Sequence, residues 1–441
     1  MLITTAQLLL SLSILVVLHE LGHFSAAKWF KTKVEKFYLF FNPGFSLFKK
    51  QIGETEYGVG WLPLGGYVKI AGMVDESFDM DQLKAEPQPW EFRSKPAWQR
   101  LIIMLGGVFV NFVLGVFLFA MILLIWGQSF IPNNSVKHGI AVSELGYQLG
   151  LRDGDQLVKI GELPFDKFND GILKKELVIN RPSQLTVNRN GSEISLPVDV
   201  SVISELTKYE NRNAYLIAPR YPYELGNINS GSVGEAAGLK LDDKIMAVNG
   251  EPTPWTHQFV NAMKDKASTT IKLTIQRGGQ ILHFDLPLDE TGKIGVLPKS
   301  IDNYASFEKE KYSLGRAIPA GWDKAWGFLT DQLKAFSQMI SGEMNPNDSL
   351  GSVISIGKMF GTSWDWERFW AMTASLSILL GFLNLLPIPA LDGGYVMFLI
   401  GETITGKKVP DRVMEIANIT GFLLLMLLMT YALGLDISRL F

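Results

Sequence analysis

Four stretches of the chain run for about 20 residues with almost no charged side chain, the length at which a helix crosses a bilayer core. The first starts at the N-terminus and meets no charge before Glu20. The others cover residues 101–126, 369–391 and 416–435, all uncharged. Four such stretches predict four membrane spans. The first lacks the basic leader of a secretory signal, because no Lys or Arg precedes Lys28. It therefore reads as a span.

Between the second and third stretches the pattern changes to short alternating runs broken by Gly and Asn-Gly turns, which reads as strands. This segment is duplicated. Gly150-Leu151-Arg152 matches Gly238-Leu239-Lys240, and Leu185-Thr186-Val187-Asn188-Arg189 matches Leu273-Thr274-Ile275-Gln276-Arg277, both at an offset of 238 − 150 = 88. A constant offset across separated blocks marks a tandem repeat. The second copy carries Gly238-Leu239, Asp243 and Asn249-Gly250-Glu251-Pro252, which resembles the PDZ domains of bacterial proteases; the first has Gly161-Glu162 in place of Asn249-Gly250. PDZ folds bind chain ends by strand addition. Two roles are open here, peptide binding and steric blocking. Further on, Ile318, Trp322, Ala325, Leu329, Leu333, Phe336 and Ile340 recur every three or four residues. That spacing predicts an amphipathic helix, either on the membrane surface or packed on a neighbour.

Lys and Arg cluster after the first span (Lys28, Lys31, Lys33, Lys36, Lys49, Lys50), before the second (Arg93, Lys95, Arg100) and between the third and fourth (Lys407, Lys408, Arg412). The positive-inside rule places these on the cytoplasmic side and the duplicated segment outside. The hydrophobic fraction of 47% and mean hydropathy of +0.15 agree with a membrane protein, and a net charge of −3 gives no sign of nucleic-acid binding. The chain has no cysteine, which excludes disulfides and thiolate metal sites, and only five histidines.

Two of those five stand in His19-Glu20-Leu21-Gly22-His23. Residues i and i+4 share a helix face, so both imidazoles can bind one metal, with Glu20 beside it to take a proton from bound water. Ionisable groups inside a span are costly and mark function. Catalytic zinc takes three protein ligands and keeps an open position. The other histidines lie in the duplicated segment, on the opposite side, so a carboxylate must complete the set. Asp392 ends an uncharged span that runs inward and enters the Leu391-Asp392-Gly393-Gly394 turn. The alternative is that Asp392 only opens the next loop.

At this point the chain resembles the site-2 protease family, intramembrane zinc metalloproteases of the M50 type, in its regulator of sigma-E protease (RseP) branch. The resemblance rests on the His19–His23 motif, on Asn384-Leu385-Leu386-Pro387-Ile388-Pro389, on Leu391-Asp392-Gly393, on Gly65-Gly66-Tyr67-Val68-Lys69 and on the tandem copies between spans two and three. It implies a polytopic α-helical membrane protein of four spans, with a membrane-reentrant β-hairpin over residues 58–70 and two inserted extracytoplasmic PDZ-like domains. It also implies Zn2+ held by His19, His23 and Asp392, with Glu20 as general base. Asn384 would hold substrate or its oxyanion, Pro387 and Pro389 would break the third helix, and Gly65, Gly66 and Tyr67 would lie against an extended substrate. Implied partners are the lipid bilayer and transmembrane proteins of the anti-sigma-factor type, pre-trimmed on the extracytoplasmic side of a bacterial inner membrane. Expected domains are 1–126, 127–215, 216–300, 301–368 and 369–441. The chain departs from the family pattern at Tyr395, where many members have His, and at Val108, where many have Pro before Asn111. A membrane scaffold, a metal transporter and an enzyme that clears signal peptides are the competing readings. Intact Glu20 argues against the scaffold, and the lack of a polar relay argues against the transporter.

Overall fold

The computed structural model describes residues 2–63, 65–73 and 86–439. They form two compact units: Met1–Gly127 with Lys311–Phe441, and Gln128–Glu310.

The first unit holds the four apolar helices. They are α1 (Leu2–Trp29), α2 (Ala97–Ile125), α5 (Trp366–Leu385) and α7 (Asp411–Ser438); α3 (Leu314–Ile340), α4 (Val353–Met359) and α6 (Asp392–Thr405) lie between or beside them. All four apolar helices are long and hydrophobic enough to cross a membrane, so the fold is that of a polytopic membrane protein. The helix at the centre is α2, which packs against α1, α3, α5 and α6. Without a hydrophobic drive between helices in lipid, close approach through small residues and buried hydrogen bonds holds such bundles. Both devices are present. A Cβ on Gly22 of α1 would sit 2.3 Å from the Gly106 carbonyl of α2, and one on Gly115 would sit 2.4 Å from Ile378 of α5. Ser11 and Thr373 share a buried hydrogen bond of 2.9 Å, and the Ser377 hydroxyl donates to the Asn111 carbonyl at 2.7 Å.

The third span breaks at the two expected prolines, and the structure differs from the expectation in where it places Asp392. Helix α5 stops at Leu385, and residues 386–391 form an irregular loop, because Pro387 and Pro389 cannot continue the ladder. Asp392 is the first residue of a separate helix, α6, rather than the end of a span. The amphipathic segment does form a helix, α3. It turns Ala317, Gly321 and Ala325 inward, with Gly321 against Ala120 of α2, and leaves Trp322 and Trp326 exposed.

Four strands follow α1: β1 (Val34–Leu39), β2 (Phe41–Ile52), β3 (Thr55–Leu62) and β4 (Tyr67–Ile70), in the order β2-β3-β1-β4. The expected hairpin over residues 58–70 is therefore not one. Strand β1 lies between β3, its parallel partner, and β4, its antiparallel partner. The local hairpin is β2–β3, turned at Gly53 with φ +62°. Among the described residues strand β4 is an edge of the sheet.

In the second unit the duplication is structural as well as sequential. Gln156–Ile160 pairs with Gln184–Arg189, and Lys244–Val248 pairs with Thr270–Arg277, in registers that map onto one another at the offset of 88, including the same bulge. Each copy has its own apolar core. Ile217–Pro219 pairs with Ile140–Val142, so the first copy extends past the expected boundary at 215. Glu308–Glu310 pairs with Gln128–Pro132 and closes the unit beyond the expected end at 300. Each copy also buries one carboxylate under one arginine: Asp155 accepts from Arg189 and the Arg152 N–H, and Asp243 accepts from Arg277 and the Lys240 N–H. Asp243 is fully buried while Arg277 is partly wet. Asp243→Ala removes several charge-assisted bonds, each worth about 1.5–3 kcal/mol. It is expected to destabilise the second copy by about 2–3 kcal/mol, seen as faster amide exchange confined to that copy in the full chain.

Candidate active site

Helix α1 presents His19, Glu20 and His23 on adjoining faces, with both histidines buried. The rings meet edge to face, their centroids 4.8 Å apart. The two Nε2 atoms lie 3.1 Å apart. Asp392 Oδ2 lies 3.3 Å from His19 Nε2 and 3.4 Å from His23 Nε2. That oxygen is buried and has no hydrogen-bond partner among the described residues.

These three atoms form a nearly equilateral triangle. A zinc ion bonded at about 2.0–2.1 Å to tetrahedral ligands holds them roughly 3.3–3.4 Å apart. The observed edges fit that spacing, and two imidazoles with one carboxylate are an established donor set for catalytic zinc. Among the described residues this is also the only His/Asp/Glu cluster close enough to share a metal.

The surroundings show how the triangle is held. His23 Nδ1 faces the Ile103 carbonyl of α2 at 2.8 Å. His19 Nδ1 faces the side-chain amide of Asn111, also on α2, at 3.0 Å. Helix α2 passes close to both rings because residue 107 is glycine: a Cβ there would lie 2.4 Å from His23 Nε2 and 2.6 Å from His19 Cε1. Asp392 is aimed by the loop before it. Ala390 takes a left-handed φ of +78°, which costs a residue with a Cβ about 1 kcal/mol or more. Close contacts hold that turn. A Cβ on Gly393 would meet the Leu386 carbonyl at 2.2 Å, and one on Gly421 of α7 would meet the Pro389 carbonyl at 1.8 Å. A buried Arg100–Glu402 ion pair ties α6 to α2.

Of the other sequence candidates, Asn384 joins the cluster, its Nδ2 3.3 Å from His19 Nε2. Glu20 lies within electrostatic reach of His19, His23 and Asp392, and the backbone of Val68 on β4 faces its carboxylate. Pro387 and Pro389 shape the Asp392 loop and supply no polar group to the cluster. Gly66 rests on α1, where a Cβ would meet Val16 at 2.8 Å. Gly65 lies against the Phe41 ring. Tyr67 stacks on Tyr38 with centroids 5.3 Å apart and donates to Asn42, so its ring belongs to the sheet. Sequence reasoning gave no role to Gly107 or Asn111. A lone Asn in an otherwise apolar span was the available signal.

Comparison with known proteins agrees with this geometry. The model of "Peptidase family M50" matches residues 7–428. The "Regulator of sigma-E protease RseP" of Escherichia coli (strain K12) is 29% identical over 455 residues, covering 99% of this chain and 98% of that protein. "Protease RseP" of Yersinia pestis is 29% identical over 458 residues, with 99% and 98% covered. A Neisseria meningitidis protein named for zinc metalloprotease activity is 28% identical over 461 residues, with 99% of both chains covered. A match across nearly the whole chain, on a fold that gathers two histidines and an aspartate beside a glutamate, makes this chain a zinc metalloprotease of peptidase family M50, in the RseP branch of the site-2 proteases.

Proposed function

We propose that the protein hydrolyses peptide bonds within the transmembrane segments of other membrane proteins, with His19, His23 and Asp392 as zinc ligands and Glu20 as general base. The observation that carries this reading is the Nε2–Nε2–Oδ2 triangle, with edges of 3.1, 3.3 and 3.4 Å, whose two histidines lie on α1, a helix long and apolar enough to cross a bilayer. Zinc held by His19, His23 and Asp392 would supply a Lewis-acidic centre able to lower the pKa of a water to about 7. Glu20 takes the proton and returns it to the leaving amine. The amide of Asn384 offers an N–H donor where an oxyanion would develop.

Helices hide their carbonyls, so a substrate must unwind before it is cut. Among the described residues strand β4 ends its sheet, and its Val68 faces Glu20. Its outer edge suits pairing with an extended segment, as strand addition does elsewhere. Gly65 and Gly66 lead into this edge. The Lys and Arg clusters favour a zinc site facing the cytoplasm of a bacterial inner membrane and a duplicated, PDZ-like unit on the extracytoplasmic side. Relatives named regulator of sigma-E protease favour substrates of the anti-sigma-factor type, and the family resemblance implies that these are trimmed beforehand outside the membrane. There the PDZ-like copies act as a filter or as recruiters.

The test uses purified full-length protein and a labelled single-span peptide in detergent micelles. Fragments are expected to end inside the apolar span. A chelator should abolish their formation, and added zinc should restore it. Cleavage confined to flanking polar residues, or persisting in chelator with zinc removed, would refute the proposal.

A further inference from the structure

The two histidines are anchored differently, and the difference assigns a role to Asn111. A neutral imidazole carries one N–H. If Nε2 binds metal, Nδ1 must hold that proton and donate it to an acceptor, which fixes both tautomer and ring orientation. For His23 the acceptor is the Ile103 carbonyl at 2.8 Å. A carbonyl can only accept, so the His23 tautomer is set by the backbone of α2.

His19 has no such carbonyl. Its Nδ1 faces the Asn111 side chain, which is 0% exposed. The Asn111 Nδ2 stands 3.0 Å from the ring, and its Oδ1 is buried with no partner. An amide donor facing Nδ1 would force the ring proton onto Nε2, the atom that points at His23 and Asp392. A half-turn of the amide exchanges its two ends at almost no change in shape. Either orientation leaves one end of the amide unpartnered, so counting hydrogen bonds does not choose between them. The ligand tautomer does.

We propose that Asn111 is a positioning residue for the zinc site: its Oδ1 accepts from His19 Nδ1–H and holds His19 with the Nε2 lone pair free for metal. This rests on the reading of His19 as a ligand. The surroundings are built to keep Asn111 in place. Its own backbone carbonyl accepts from Ser377 of α5 at 2.7 Å, and Gly381 of α5 leaves room beside its Cβ. Asn111 is thus held from a third helix while it holds a ligand on the first.

The test is zinc affinity, measured by chelator competition on purified full-length protein, for wild type, Asn111→Leu, Asn111→Asp and His19→Ala. Leucine keeps the size and removes the acceptor, and aspartate keeps an acceptor. Loss of an outer-shell partner weakens metal binding about 10–100-fold. Asn111→Leu should fall in that range, and Asn111→Asp should stay within a few-fold of wild type. Wild-type affinity in Asn111→Leu, with zinc lost in His19→Ala, overturns the proposal and leaves the ligand reading intact. Equal weakening in the Leu and Asp variants also overturns it, because packing rather than an acceptor would then be responsible. Zinc retained in His19→Ala sinks the ligand reading and this proposal with it. A second measurement needs no variant at position 111. Nitrogen-15 spectra of zinc-loaded wild type should show a slowly exchanging proton on His19 Nδ1, and a bare Nδ1 there refutes the assignment.

Discussion

Glu20→Gln should leave zinc content unchanged and lower peptide hydrolysis by about 10²–10⁴-fold, the usual contribution of a positioned acid–base group. The substitution is nearly isosteric. The Gln amide fills the same space beside Val68, and the packing of Gly66 on Val16 of α1 is unchanged. Lost is the ability to take a proton from water and return it to the leaving amine. His19, His23 and Asp392 are untouched, so the metal remains. The measurement is kcat on the single-span peptide alongside zinc content and membrane yield. A rate near that of wild type would remove Glu20 as the base. A protein with intact zinc and a collapsed rate should also hold uncut substrate, recoverable by crosslinking beside Asn384. This result separates an enzyme from a scaffold, because a scaffold would bind its partner equally well with either side chain.

Much of this site was legible in the sequence because its signals are local. The motif from His19 to His23 needs only the pitch of a helix, and the four apolar stretches need only their length. The offset of 88 reappears in the strand registers because a repeated sequence buries the same positions twice. The misread parts depend on pairing at a distance. The family resemblance implies a hairpin over residues 58–70, but the parallel pairing of β1 with β3 places β1 between the two strands. Asp392 looked like the end of a span because the uncharged run continues through the loop to Leu391. The break at Pro387 and Pro389 was legible, but the left-handed Ala390, whose N–H donates to Asn418 of α7 at 3.3 Å, was not. Gly107 and Asn111 sit on α2, some 85–90 residues from the motif they support, and only the packing of α1 on α2 brings them to it.

Gly107→Ala should separate metal affinity from fold stability. Alanine is worth up to about 1 kcal/mol more than glycine inside a helix, so α2 by itself would gain. The new methyl, however, has nowhere to go. Its nearest neighbours are His23 Nε2 at 2.4 Å and His19 Cε1 and Nδ1 at 2.6 and 2.8 Å, all ring atoms of the proposed ligands. The rings cannot step aside at low cost, because His23 Nδ1 is bonded to Ile103 and His19 Nδ1 contacts Asn111. Zinc affinity should fall by about 100-fold or more, beyond what losing an outer-shell partner costs. Gly106→Ala is the control. Its Cβ would meet the Gly22 carbonyl at 2.6 Å, a backbone contact between α1 and α2, so it should lower thermal stability first. Paired melting and zinc-competition curves for the two variants therefore distinguish a glycine that makes room for ligands from one that lets two helices touch. If Gly107→Ala bound zinc as wild type does, the rings would have room to move, and the close approach of α2 would not be what fixes the triangle.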